Sequence, residues 1–230
     1  MTDLINVTEM YLKAVLEIHE TRMPKRRVHI AHRLEQSGPT VTKTVSRMQR
    51  DDLLSFSEES KVIDFTDRGF RLATDVMRKH RLAEGFLHDV IGLDLDLVHE
   101  EACRWEHVMS DDVADRIDDL LHRPLHSPYG NPIPGKEAAR WDPLGDEPDV
   151  KNLVRLLVET GAEQHVTIAW IGEPAQAQPL VLTQLRSVGA LPGARVRCAL
   201  HGSAVMVHAQ HGTEVIELQL DSAAQLFVRA

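Results

Sequence analysis

Ser37-Gly-Pro-Thr-Val-Thr-Lys-Thr-Val-Ser-Arg-Met-Gln-Arg50 reads as a turn running into a helix. Pro39 suits a first helical turn, where its missing N–H has no intrahelical partner to lose. From about Pro39 to Leu53, Val41, Val45 and Met48 recur on one stripe and pack inward. Thr40, Thr42, Lys43, Ser46, Arg47 and Arg50 are left facing out. Such a face is either ordinary solvated surface or one that bonds base edges and phosphates from a major groove. Its neighbours favour DNA. A helical segment Val28–Leu34 precedes the turn, and a small hairpin around Ser55–Phe65, tipped by Glu58-Glu59-Ser60-Lys61, follows it. A helix over residues 3–20 comes first, with Leu4, Val7, Tyr11, Leu12, Val15, Leu16 and Ile18 at helical spacing. That order is a winged helix.

Further along, a long helix runs from Asp67 through His80 toward Val90 and stops at Gly92, and two more fit Leu97–Met109 and Asp111–Leu121. The Pro- and Gly-rich stretch His122–Pro148 reads as an ordered crossing followed by a linker. Beyond residue 150 the pattern changes to short β runs, Val166–Ile171, Ala194–Leu200, Ala204–Ala209 and Thr213–Leu218, with one helical turn near Gln178–Val188. This is a small barrel-like β module. The chain is mainly α with a small β part.

The net charge of −9 speaks at first against nucleic acid, but residues 1–50 carry nine Lys and Arg against five acids. The acidic excess lies later, in Asp111, Asp112, Asp115, Asp118 and Asp119. No apolar run approaches a membrane span, and residues 1–30 lack the layout of a secretion signal. With Cys103 and Cys198 as the only cysteines, a disulfide framework is not expected and a reducing cytoplasm fits.

His99-Glu-Glu-Ala-Cys103-Arg-Trp-Glu106-His107 carries the chemistry. Positions 99, 103, 106 and 107 follow the i, i+4, i+7, i+8 rule, which puts two imidazoles, a thiol and a carboxylate on one helix face. Cys103, Glu106 and His107 suit a transition metal and leave coordination positions for a group from another segment. Met10 is either that remote thioether or a core residue. His80 and Glu84, at i, i+4, form with His99 either a second metal cluster or surface ion pairs. His99-Glu100-x-x-Cys103 and Cys103-x-x-Glu106-His107 each miss a zinc-hydrolase motif by one residue. No substrate site accompanies them, so no enzyme and no small-molecule substrate are expected.

Thr8-Glu-Met-Tyr-Leu12, Arg33-Leu-Glu-Gln-Ser-Gly-Pro-Thr-Val41, Val76-Met-Arg-Lys-His-Arg-Leu-Ala-Glu84, Glu101-Ala-Cys-Arg-Trp-Glu-His-Val-Met-Ser-Asp111 and Gly130-Asn-Pro-Ile-Pro-Gly135 together resemble the diphtheria toxin repressor family of iron-dependent regulators. The resemblance covers nearly the whole chain. It implies a winged helix-turn-helix over 1–73, a dimerisation and metal domain over 74–140, a Pro-rich linker over 141–152 and an SH3-like domain over 153–230. It also implies two metal sites: a primary one of Met10, Cys103, Glu106 and His107, and an ancillary one of His80, Glu84, His99, Glu173 and Gln176. Arg81, Ser127 and Asn131 match an anion-binding group, and Arg27, Ser37, Pro39, Thr40, Arg47 and Arg50 match operator contacts. Thr42 and Lys43 complete the DNA-facing set. Lys43 departs from the Gln of similar members; lysine has no acceptor for an amide-like pairing with adenine and donates to guanine or phosphate instead.

By this resemblance the chain is a homodimeric, Fe(II)-activated repressor of iron-uptake and siderophore genes, bound to double-stranded operator DNA and away from membranes. Metal binding orders the first helix and positions the recognition helices. Sulfur donors favour iron, cobalt or nickel over manganese, and Co(II), Ni(II), Mn(II) or Zn(II) substitute in vitro. The alternative is a manganese-dependent regulator of the same fold.

Overall fold

Asn6 caps the first helix of the structure, a computed structural model in which residues 6–136, 138, 141–210 and 213–230 are described. Its side-chain oxygen accepts the N–H groups of Thr8 and Glu9, two donors that have no partner inside the helix. The described part of this helix, α1, is therefore Val7–Glu20, shorter than the expected 3–20; residues 3–5 lie outside the described set. There follow α2 (Arg27–Arg33), α3 (Gly38–Arg50), the antiparallel pair β1 (Leu54–Phe56) and β2 (Ile63–Phe65), and α4 (Asp67–Gly85). Then come α5 (Leu95–Trp105) and α6 (Asp111–Leu120).

The chain divides into two compact units. One contains the residues up to Ala83 together with Ala102–Leu120 and Ile133–Asp142. Its core joins Tyr11, Leu12, Val15 and Leu16 of α1 to Val41, Val45 and Met48 of α3, with Ile30, Leu54 and Ile63. The three residues expected to face inward on α3 are fully buried, and Thr40, Thr42, Lys43, Ser46, Arg47 and Arg50 are left outside as exposed residues or nearly so. Ser37 caps α3 by accepting from the Thr40 N–H. Gly69 lets α4 pass the wing: a Cβ there would lie 1.8 Å from the Leu53 carbonyl oxygen.

The expected single helix from Asp67 to Val90 changes its hydrogen bonding near its end. Phe86–Val90 forms a π-turn in which the Ile91 N–H reaches the Phe86 carbonyl five residues back, at 3.1 Å. Gly92, at φ +77°, stops it.

The second unit comprises Glu84–Glu101, Leu121–Pro132 and Pro143–Ala230. After the short α7 (Pro143–Asp146) it contains β3 (Val150–Asn152), α8 (Leu153–Thr160), β4 (Gln164–Ile171), α9 (Glu173–Gln176), α10 (Pro179–Ser187), β5 (Arg195–His201), β6 (Ala204–Ala209), β7 (Val215–Gln219), α11 (Leu220–Ala223) and β8 (Leu226–Arg229). The strands form one antiparallel sheet in the order β3-β8-β4-β5-β6-β7, with a bulge at Ile168/Trp170. Trp170 stacks on Phe227 at 4.8 Å between ring centroids. Expected strands β4 to β7 are present; β3, α8 and β8 are additions, and the helix near residues 178–188 exceeds one turn. No described helix is long and apolar enough to cross a membrane.

Candidate metal centre

Helix α5 ends at Trp105, so the expectation that 99, 103, 106 and 107 share one helix face needs correction. His99 and Cys103 sit one turn apart on α5, whereas Glu106 and His107 lie in the turn after it. The cause is the next helix. Ser110 accepts from the Val113 N–H through its hydroxyl and from the Ala114 N–H through its carbonyl, so the chain must reverse within a few residues of Trp105. The Glu106 N–H still bonds the Ala102 carbonyl at 3.0 Å, while the Val108 and Met109 N–H groups both fold back to Trp105.

The turn aims Glu106 inward, where it is 4% exposed. Its Oε2 lies 2.6 Å from His80 Nδ1 on α4 and 2.7 Å from Lys13 Nζ on α1. Lys13 Nζ is also 2.9 Å from His80 Nδ1 and 3.6 Å from Cys103 Sγ. His107 Nε2 stands 3.3 Å from Glu106 Oε1, and His107 Nδ1 2.8 Å from Glu9 Oε2. A ligand-type nitrogen of His80 lies within 4.8 Å of the Cys103 sulfur. Burial by itself would raise the Glu106 carboxyl; the charges of Lys13 and then His80 overturn this and hold it at about 2. The carboxylate is thus kept ionised, the form that ligates a cation.

Two residues of this cluster were not anticipated. α1 presents Glu9 and Lys13, at i, i+4, while the thioether-bearing Met10 packs against the hydrophobic core. The signal was present: Glu9, Lys13 and Glu17 form a charged stripe on a helix whose residues from Tyr11 to Ile18 are all buried. Glu17 likewise pairs inward, with Arg33. His80, expected with Glu84 and His99, meets Glu106 instead of lying only among its expected companions.

His80 and Glu84 are fully buried and His99 nearly so, which removes the surface-ion-pair reading of these three. Glu84 Oε1 faces His99 Nδ1 at 3.4 Å. The Tyr129 hydroxyl fixes the start of α5, donating to the Leu95 carbonyl and accepting from the His99 N–H. Glu173 and Gln176, on α9, are each 2% exposed. The Gln176 and Asn131 amides both donate to the Ile171 carbonyl, at 2.6 and 2.8 Å. Their own oxygens, Gln176 Oε1 and Asn131 Oδ1, are buried without a hydrogen-bond partner among the described residues. A buried acceptor of this kind costs on the order of 1–3 kcal/mol unless something binds it, and a cation is one such group. Ser127 accepts from the Tyr129 N–H at 3.3 Å, in the tight loop that Gly130 permits: a Cβ at Gly130 would lie 2.2 Å from the Ala169 carbonyl oxygen. Of the expected anion group, Arg81 is engaged by Glu20.

On the DNA-facing side, Ser37 Oγ and Thr40 Oγ1 are 2.8 Å apart and Pro39 is exposed in the first turn of α3. The Arg27 guanidinium lies 3.9 Å from the Phe56 ring centroid, anchored on the wing by a cation–π contact.

Residues 3–62 match the family profile described as "Iron dependent repressor, N-terminal DNA binding domain", and residues 66–135 match "Iron dependent repressor, metal binding and dimerisation domain". The chain belongs to the iron-dependent repressor family. This repressor is 46% identical over 199 residues to the iron-dependent repressor IdeR of Mycobacterium tuberculosis, covering 85% of each chain. It is 42% identical over 223 residues to the diphtheria toxin repressor of Corynebacterium efficiens, covering 97% of this chain and 95% of that one. Among solved structures, a manganese-dependent transcriptional repressor in complex with manganese superposes with TM-score 0.78 at 26% identity, over 97% of this repressor and 100% of that chain. IdeR of T. acidophilum shares the fold at TM-score 0.74 and 24% identity, over 96% of each chain. The protein is a metal-dependent transcriptional repressor with a DNA-binding and a dimerisation domain, and it belongs to a family of regulators, not of enzymes.

Proposed function

We propose that the protein is an Fe(II)-activated homodimeric repressor acting in the cytoplasm on operators of iron-uptake and siderophore genes. The observation that carries this reading is the cluster of half-buried Cys103 and His107 with buried Glu106 and His80, abutting α1. In this reading Cys103, Glu106, His107 and Met10 form the activating site, and His80, Glu84, His99, Glu173 and Gln176 the ancillary one. A sulfur, a carboxylate and imidazoles make a donor set suited to iron, cobalt or nickel, and the buried Gln176 oxygen supports a second cation site. When bound, the ferrous ion supplies a dication that the anionic cluster and α1 both face.

The chain's own residues transmit the rest. α1 shares its core with the inward face of α3, so any shift of α1 is felt by Val41, Val45 and Met48 and hence by the recognition helix. Thr40, Thr42, Lys43, Arg47 and Arg50 then meet bases and phosphates, with Arg27, Ser37 and Pro39 fixing register. Val108, Val113 and Leu120 are exposed apolar residues within the segment matched by the dimerisation profile, and support self-association there. A dimer of winged helices reads two half-sites about one helical turn, or a multiple of one, apart.

The kinship with manganese-dependent regulators favours one rival, in which manganese is the activator. Anaerobic DNA-binding assays with Fe(II), Mn(II) and Co(II), beside a chelated control, separate the two. We expect Fe(II) and Co(II) to activate at lower concentration than Mn(II), and Cys103→Ala to lose activation by all three. Equal binding to operator DNA after complete chelation would end the metal-switch reading.

A further inference from the structure

Lys13 is 5% exposed, an unusual place for an ammonium, whose burial is costly unless its charge and its three protons are matched. Here they are matched by Glu106 Oε2 at 2.7 Å, His80 Nδ1 at 2.9 Å and Cys103 Sγ at 3.6 Å. The His80 nitrogen accepts from Lys13 when it carries no proton, and donates to Glu106 when it does. All three acceptors are lone pairs of the types that bind transition metals. Lys13 belongs to none of the expected ligand sets, and its charge has the sign of the metal's.

Resting on the metal-site reading above, we propose that Lys13 is a tethered counter-cation of the metal cluster: its ammonium holds the ligand atoms in place, competes with the incoming ion for them and so sets the metal concentration at which the repressor switches. The ion draws on the same lone pairs and repels the ammonium, so binding and departure of Lys13 are coupled. If the cluster is open to metal in only about a tenth of molecules, apparent affinity is reduced about tenfold. Lys13 also lies one turn from Glu9, which contacts His107, so its release alters two contacts of α1 with the turn after α5 together. The device is a competition for sites; α1 is the element that feels its outcome.

The test is anaerobic Co(II) titration of the full-length protein, followed by calorimetry and by the sulfur-to-cobalt absorption band. The variants are Lys13→Gln, Lys13→Met and Lys13→Arg. Removing the charge should tighten Co(II) binding on the order of tenfold in the Gln and Met variants, while Arg, which keeps the charge, stays near wild type. The rise in Tm on adding Co(II) should also be larger for Gln than for wild type. Should Lys13→Met fail to fold without metal, Lys13→Gln, which retains a donor, still gives the comparison. Gln binding Co(II) no tighter than wild type, or Arg and Gln shifting alike, overturns the role of Lys13. A wild-type protein that binds Co(II) without the sulfur band, or with the band unchanged in Cys103→Ala, overturns the metal site itself.

Discussion

Glu20 and Arg81 form a two-pronged ion pair: one terminal nitrogen of the guanidinium donates to both carboxylate oxygens, at 2.9 and 3.1 Å. Arg81 is 1% exposed, and its guanidinium also lies 5.2 Å from the Trp141 ring centroid. Glu20 sits in the last turn of α1, so the pair ties the end of that helix to α4. Glu20→Ala should destabilise the protein by about 3 kcal/mol, the usual cost of removing one partner of a buried pair, read from the urea midpoint. It should also let inorganic phosphate stabilise the variant more than the wild type, because an anion can take the place of the carboxylate. A variant as stable as the parent would show that Trp141 and the rest of the surroundings suffice for the arginine.

Lys43 is exposed on the outward face of α3, four residues before Arg47. Its three donors and lack of acceptor suit guanine or a phosphate, whereas a glutamine pairs both donor and acceptor with adenine. Lys43→Gln should change which base is preferred at one operator position while leaving the salt dependence of binding close to the parent's. A variant that changes only the salt slope, by about one ion, would place Lys43 on a phosphate.

The winged helix was legible because its signals are local: the Ser37-Gly-Pro turn, the stripe of Val41, Val45 and Met48, and the polar tip between β1 and β2. The side chains proposed as metal ligands on α4 and α5 stood out for the same reason, since i, i+4 spacing fixes a face wherever a helix persists. Glu106 and His107 escaped that rule because Ser110 starts the next helix, an event three residues away that ends the register. Lys13 and Glu9 escaped because a charged residue on a helix is normally solvent-facing; only the tertiary packing shows that this helix has no solvent side between Tyr11 and Ile18. In the second unit, β3 and β8 are three and four residues long, and β8 pairs with both β3 and β4 from far along the chain, so they left no local period to find.

His19 gives a pH dependence with a definite sign. Burial, and next the charge of Lys25, push its pKa below 6.5, and its ring meets Phe70 edge-on at 6.1 Å. It is therefore a half-buried histidine and not a simply solvated one. Above pH 6.5 the imidazole is neutral in both folded and unfolded chains and contributes nothing. As pH falls through 6.5 the unfolded chain takes up a proton that the folded one resists, so stability declines until the lowered folded value is reached. The loss in urea midpoint between pH 7.5 and 5.5 should be smaller for His19→Gln than for the parent. Equal losses would assign the acid sensitivity to other groups.

The two cysteines should behave oppositely toward a thiol reagent. Cys198 is fully buried on β5, paired in register with Gln164 on one side and Val207 on the other. Burial, and then the negative charge of Glu163, push its thiol up to about 12, so at pH 8 it carries almost no reactive thiolate. Cys103 is half-buried. The native protein at pH 8 should therefore label at Cys103 and not at Cys198, and the Cys103→Ala variant should label only after unfolding. The same shift acts on stability at high pH: the unfolded thiol ionises near 9 while the folded one resists, so stability falls as pH rises from about 9 toward 12. Cys198→Val, which suits a buried strand position, should flatten that decline. Rapid native labelling of Cys198, or an unchanged alkaline slope in the valine variant, would mean that β5 opens far more readily than its burial implies.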